Sequence, residues 1–104
     1  MTELREEKQL NGFCAVEVTG ESCAGCFALM PIVKSVCERR GDIRAFRLEM
    51  SEECAPLLQK WQIDRVPTVL LIKDGEVFAR CTGYQPEEIL EIWMDAKIEE
   101  FKNR

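Results

Sequence analysis

Two cysteines separated by two residues, Cys23 and Cys26, form the strongest chemical motif in the sequence. Such a pair can cycle between a dithiol and a disulfide, or it can supply part of the ligand set of a zinc ion. Histidine is absent, which excludes Ser-His and Cys-His catalysis and Cys₂His₂ zinc sites. A second Cys-x-x-Cys is also absent, so further zinc ligands would have to come from isolated cysteines. The motif favours redox chemistry, with a zinc site as the alternative.

The motif stands where a predicted buried strand, 13–18, gives way to a predicted helix that reaches about Arg40. Amide N–H groups at the start of a helix are unpaired and the helix dipole is positive there, so a thiolate on Cys23 is stabilised. Cys26 lies one helical turn further on and should be the more buried of the two. We therefore predict Cys23 as the attacking nucleophile and Cys26 as the resolving thiol.

Length and composition restrict the class of protein. The 104 residues suit one domain, 1–104, and the net charge of −5 leaves no basic stripe for nucleic acid or an anionic membrane surface. No apolar run approaches the about 20 residues that span a bilayer, and the charged start lacks the apolar segment of a secretory signal. A cytoplasmic protein is the expectation.

Hydrophobic periodicity predicts the order α-β-α-β-α-β-β-α. The first helix covers 2–10, and the strands cover 13–18, 43–48, 68–72 and 77–81. A short helix reaches Trp61, and a last helix begins at Pro86. Asp74 and Gly75 give the strongest hairpin signal, which makes the last two strands antiparallel. The prediction is an α/β fold with a four-stranded mixed sheet and helices on both faces.

From about residue 13 to residue 101, the chain resembles the thioredoxin family. The resemblance rests on the Cys-x-x-Cys at a strand–helix junction, a proline five residues later, a Val-Pro-Thr run that opens the third strand, and a closing hairpin followed by a glycine. These features are Cys23, Cys26, Pro31, Val66, Pro67, Thr68 and Gly83. The resemblance implies the thioredoxin fold, with the first strand of a full thioredoxin absent because 2–10 is predicted as a helix.

The resemblance also implies an activity: thiol–disulfide exchange with protein disulfides, without a cofactor and without a bound metal. Electrons would come from a thioredoxin reductase or another reductant. Pro67 would be cis and face the Cys-x-x-Cys, and the backbone of Val66 would pair with the substrate chain. The substrate-binding set then comprises Val66, Pro67, Ser22 and Gly83.

Glu17, six residues before Cys23, matches a buried acid that in this family helps to move the proton of the resolving thiol. Burial should raise its pKa toward neutrality, as a general base requires. Arg47 falls near the position of the family's partner lysine. The alternative is that Glu17 and Arg47 form an ordinary buried ion pair.

The chain departs from the family pattern at the motif itself. Ser22 replaces the tryptophan that usually precedes the first cysteine, and Ala24-Gly25 replaces Gly-Pro between the cysteines. The intervening pair tunes the redox potential. These departures keep open a second function, a redox-sensing or partner-binding module of the same fold without general reductase turnover.

Four further cysteines stand alone in the sequence. Cys14 and Cys37 lie on predicted apolar faces and are interpreted as small core residues. Cys54 lies near a helix start, as a cap-region or surface thiol, and Cys81 lies on the hairpin strand.

Overall fold

A five-stranded sheet in the order β1-β3-β2-β4-β5 forms the centre of the computed structural model, which describes all residues from Met1 to Arg104. β1, β2 and β3 are parallel, while β4 is antiparallel to both β2 and β5. The strands are β1 (Thr2–Glu3), β2 (Phe13–Thr19), β3 (Ile43–Glu49), β4 (Thr68–Lys73) and β5 (Glu76–Thr82). The helices are α1 (Ala24–Arg40), α2 (Ala55–Lys60) and α3 (Glu87–Lys102), with 3₁₀ helices at Glu7–Gln9 and Glu52–Cys54.

The predicted α/β architecture and mixed sheet are confirmed, but the first ten residues were predicted wrongly. Instead of a helix over 2–10, Thr2 and Glu3 pair with the outer edge of β3, so the sheet has five strands and a first strand is present. Leu4 and Leu10 are buried, and only Glu7–Gln9 forms a helical turn. An unpaired sheet edge and two buried leucines outweigh local helix propensity here.

The apolar residues separate into two clusters on opposite faces of the sheet. One face packs against the N-terminal segment, α2 and Trp61. The other face is covered by α1 and α3. Because side chains alternate along a strand, β2 contributes Val16 and Val18 to the first face and Ala15 to the second. A strand in the centre of the sheet is thus buried on both sides, as the apolar run 13–18 predicts.

One edge of the sheet collects several strand ends. β2 ends where the antiparallel β4 begins, with Val18 opposite Thr68, and β5 ends beside it, with Thr82 opposite Thr68. β3 ends at the same edge, where Thr19 is opposite Glu49. The chain that leaves β2 turns at this edge and enters α1. None of the helices has the length and apolarity that crossing a membrane requires.

Candidate active site

Cys23 and Cys26 form a disulfide at this edge of the sheet, with their Cα atoms 5.3 Å apart. The two residues differ in exposure: Cys23 is half-buried, whereas Cys26 is 2% exposed. Ser22, just before the pair, is exposed and has a φ of 54°. The predicted difference in burial between the two cysteines is confirmed.

The start of α1 directs one backbone N–H group at the outer cysteine. Cys23 is the N-cap residue, and its Sγ accepts a hydrogen bond from the backbone N–H of Cys26 at 3.1 Å. Ala24 is the first residue of the helix and is exposed. The helix dipole and this N–H group together favour negative charge on Cys23, which is the form of a thiol that attacks a disulfide.

A cis peptide bond joins Val66 to Pro67, and this proline faces the disulfide loop. A Cβ atom added to Gly25 would lie 3.7 Å from Cδ of Pro67, so the two residues are in close contact. Gly83, with a φ of 87°, follows β5 and donates its N–H to the carbonyl of Pro67 at 2.8 Å. The structure thus brings Ser22, Gly25, Pro67 and Gly83 together around the two cysteines.

Val66, immediately before the cis bond, belongs to no helix or strand. Neither its backbone N–H nor its carbonyl makes a hydrogen bond within the chain. These two groups are therefore free to bond an extended segment laid beside them, which is the pairing that the resemblance predicts.

Glu17 lies on the face of β2 that α1 covers, because residues two apart in a strand share a face and Ala15 and Thr19 lie there. It is completely buried, and neither carboxylate oxygen has a hydrogen-bond partner. Burial raises the pKa of Glu17 from its ordinary value of 4.5 to about 7, against a smaller opposing effect of the Arg47 charge. A carboxyl group with this pKa can both accept and release a proton near neutral pH.

Arg47 is opposite Glu17 in the parallel pairing of β2 and β3 but forms no ion pair with it. Its guanidinium instead approaches the carboxylate of Glu49 at 3.6 Å, and its buried Nε has no partner. The alternative of an ordinary buried Glu17–Arg47 ion pair is therefore wrong. Without a bonded partner, Glu17 keeps its raised pKa.

A small cavity of about 70 Å³ adjoins the inner cysteine. It lies between the ends of β2 and β3 and the first turns of α1. Thr19 at the end of β2 forms one wall, and Cys26 forms another. The remaining lining residues are Gly20, Phe27, Met30, Arg47 and Glu49.

Sequence reasoning did not single out two aromatic residues beside the site, Phe27 and Tyr84. Phe27 follows Cys26 directly and is 73% exposed, and Tyr84 follows Gly83 and is 49% exposed. The pattern held a signal for Phe27, because the buried stripe of α1 runs through Cys26, Leu29 and Val33 and leaves residue 27 outside it.

The four remaining cysteines are free. Cys14 and Cys37 are buried as predicted, and burial raises the pKa of both thiols, that of Cys37 to about 12. Burial also raises the pKa of Cys81. Cys54 caps the 3₁₀ helix Glu52–Cys54, where its Sγ accepts a hydrogen bond from the N–H of Ser51 at 3.3 Å. None of the four lies at the N-terminus of a long helix with a second cysteine three residues on, as Cys23 does.

No group of three or more His, Cys, Asp or Glu side chains is placed to hold a metal ion. A zinc site on Cys23 and Cys26 would need ligands that this arrangement does not supply.

Comparison with known proteins places the chain in a family. Residues 3–96 match the family model described as Thioredoxin. Thioredoxin C-2 from Corynebacterium nephridii is 30% identical over 77 residues, which is 73% of this chain and 70% of that protein. Thioredoxin from Bacillus subtilis (strain 168) is 27% identical over 70 residues, or 66% of each chain.

Two solved structures share the fold. Thioredoxin f from spinach chloroplast (short form) gives a TM-score of 0.76 at 22% identity and covers 92% of each chain. The complex of ferredoxin:thioredoxin reductase with thioredoxin f2 gives 0.79 at 21% identity, over 92% of this chain and 94% of the matched chain. The chain belongs to the thioredoxin family and is a thiol–disulfide oxidoreductase that carries a Cys-x-x-Cys pair at Cys23 and Cys26.

Proposed function

We propose that the protein reduces disulfides in other proteins, with Cys23 as nucleophile and Cys26 as resolving thiol. The observation that carries this assignment is the unequal exposure of the two cysteines at the start of α1. An incoming disulfide can reach Cys23, whereas Cys26 is buried and can be reached only from within the protein. The oxidised pair is the product of the reaction cycle.

The reaction proceeds in two exchange steps. The thiolate of Cys23 attacks one sulfur of the substrate disulfide, forms a mixed disulfide and releases one substrate thiolate. Cys26 then loses its proton and attacks the Sγ of Cys23, which forms the internal disulfide and releases the second substrate thiolate. Two electrons pass from the cysteine pair to the substrate, and no cofactor takes part.

Glu17 is proposed as the group that accepts the proton of Cys26. Three observations support this role: Glu17 lies on the face of β2 beneath α1, its carboxylate oxygens have no hydrogen-bond partner, and its pKa is about 7. Such a group is partly ionised at neutral pH and can take the proton as the thiol attacks. Arg47 is a positioning residue whose positive charge opposes the rise in that pKa.

Substrate binding is assigned to the surface formed by Ser22, Val66, Pro67 and Gly83. The free N–H and carbonyl of Val66 offer two hydrogen bonds to an extended substrate segment beside Cys23. Ala24 and Gly25 support the site: Ala24 opens α1, and Gly25 keeps the disulfide loop close to Pro67.

A reductase is proposed as the source of electrons, since one structural relative was solved as a complex of ferredoxin:thioredoxin reductase with thioredoxin f2. The compartment is proposed to be the cytoplasm, because a reducing environment keeps isolated thiols such as Cys14, Cys37, Cys54 and Cys81 unpaired.

The assignment is tested by trapping with Cys26→Ala, which removes the resolving thiol and retains the nucleophile. Incubation with insulin should leave a stable mixed disulfide on Cys23, visible as added mass under non-reducing conditions. Cys23→Ala should form none, and a mixed disulfide on that variant would contradict the assigned roles. Turnover of the unaltered protein with a thioredoxin reductase separates a general reductase from a redox-sensing or docking module, which would show none.

A further inference from the structure

Only four large apolar side chains are strongly exposed on this protein: Phe27, Tyr84, Ile89 and Ile92. Single exposed apolar residues are common on protein surfaces, so the number alone decides nothing. Their distribution carries more information, because two of the four stand immediately next to the redox-active pair. Phe27 follows Cys26 in α1, and Tyr84 approaches Gly25 within the disulfide loop.

Phe27 lies on the side of the loop that faces β3. It lines the small cavity beside Cys26 together with Arg47 and Glu49, both of which belong to β3. The ring itself is 73% exposed, so it contributes little to the core. α1 continues past Phe27 without a break. In the protein without substrate, the carbon surface of the Phe27 ring therefore stays in contact with water.

Tyr84 lies on the opposite side of the loop. Tyr84 follows Gly83, whose N–H donates a hydrogen bond to the carbonyl of Pro67 just before β4. The Cβ of Tyr84 would lie 3.9 Å from a Cβ added to Gly25. In the sheet order, β3 and β4 flank β2 on opposite sides. Phe27 therefore lies on the β3 side of the redox loop and Tyr84 on the β4 side.

We propose that Phe27, together with Tyr84 across the loop, selects substrate disulfides whose cysteine is flanked by an apolar side chain. The inference rests on the proposed function and names its substrate class. Val66 lies beside Gly20, and Gly20 lines the same cavity as Phe27. In a substrate segment that pairs with Val66, an apolar residue beside the cysteine would cover the exposed rings. Burial of aromatic surface stabilises such a complex, whereas a polar residue there gains nothing.

The test uses two disulfide-linked peptides that are identical except for Leu or Ser next to the cysteine. The reduced protein is mixed with each peptide, and the second-order rate of disulfide reduction is measured by stopped flow. We expect the unaltered protein to reduce the Leu peptide about tenfold faster, which corresponds to about 1.4 kcal/mol. If the unaltered protein reduces both peptides at the same rate, only this inference is overturned. If it reduces neither peptide, the proposed function is overturned.

Phe27→Ser should lower the Leu-to-Ser preference to about twofold or less, chiefly because the Leu peptide is reduced more slowly. Ile92→Ser is the matched control, because Ile92 is 67% exposed on α3 and borders no part of the site. It should keep the full preference. Phe27→Leu, which retains an apolar side chain, should keep most of it. An unaltered preference in both Phe27→Ser and Tyr84→Ser would contradict the proposal.

Discussion

The two ends of α1 carry cysteines in opposite chemical settings. At the N-terminal end, Cys23 is partly exposed to solvent and its Sγ accepts a hydrogen bond from the backbone N–H of Cys26. At the other end, Cys37 is 3% exposed, lies among apolar side chains, and has a pKa raised to about 12 by burial. The nearby Arg40 charge opposes that rise but does not overcome it. Residue type is therefore a weak guide to thiol reactivity, and position along one helix decides it.

The largest expected effect separates these two thiols by activity. Cys23→Ala should lose insulin reduction to the uncatalysed rate, a fall of about 10³-fold or more, because the covalent nucleophile is gone. Cys37→Ala should retain the rate of the unaltered protein within about twofold. Dithiothreitol-coupled insulin precipitation measures both. Full activity in Cys23→Ala would reverse the contrast between the two ends.

Alkylation sharpens the same contrast without any substrate. With a pKa of about 12, Cys37 is ionised to only about one part in 10⁵ at pH 7, and its burial blocks access as well. The fully reduced protein, treated with iodoacetamide, should be modified at Cys23 about 100-fold faster or more. Peptide mass spectrometry over a time course gives the order, and comparable rates at the two sites would show that the helix ends do not differ.

Glu17 predicts how stability depends on pH. Its pKa is about 7 in the folded protein and ordinarily 4.5, so the folded state holds a proton more tightly than the unfolded chain. The resulting stabilisation is complete below pH 4.5, is lost as the pH rises toward 7, and stays lost above it. Glu17→Gln removes this ionisation. Its effect on the free energy of unfolding should therefore be more favourable by about 3 kcal/mol at pH 8 than at pH 4.

Urea unfolding of both proteins across this pH range measures that difference. Equal pH dependence in Glu17→Gln and the unaltered protein would show that Glu17 is not the buried titrating group.

Glu17→Gln should also slow the second exchange step. Its mixed disulfide with substrate should resolve more slowly at neutral pH, because Cys26 has lost its proton acceptor.

The smallest expected effect lies at the inert end of α1. Cys37→Ala removes a buried sulfur from the cluster between α1, α3 and the sheet, and should lower the free energy of unfolding by about 1 kcal/mol. Guanidinium unfolding under reducing conditions gives the value. If Cys37→Ala is fully folded under the assay conditions and still reduces insulin much more slowly, Cys37 takes part in the chemistry after all.

Much of the fold could be predicted from local pattern. The buried strand 13–18, the turn at Asp74-Gly75 and the helix after the Cys-x-x-Cys all have strong periodicity or turn chemistry, and the structure contains each of them. The two-residue strand Thr2–Glu3 was missed, because two residues have no measurable alternation and its reason for forming is the free edge of β3.

The sequence alone determined the chemistry of the protein. Two cysteines at this spacing, with a strand before them and a helix after them, favour dithiol–disulfide chemistry, and the absence of histidine leaves zinc binding as the weaker alternative. Only the tertiary structure decided which neighbours act on it. It placed Pro67 against Gly25, left Glu17 without the Arg47 ion pair, and set Phe27 and Tyr84 on either side of the loop. These relations join residues far apart in the chain, and their distances follow from packing and register, which no local pattern encodes.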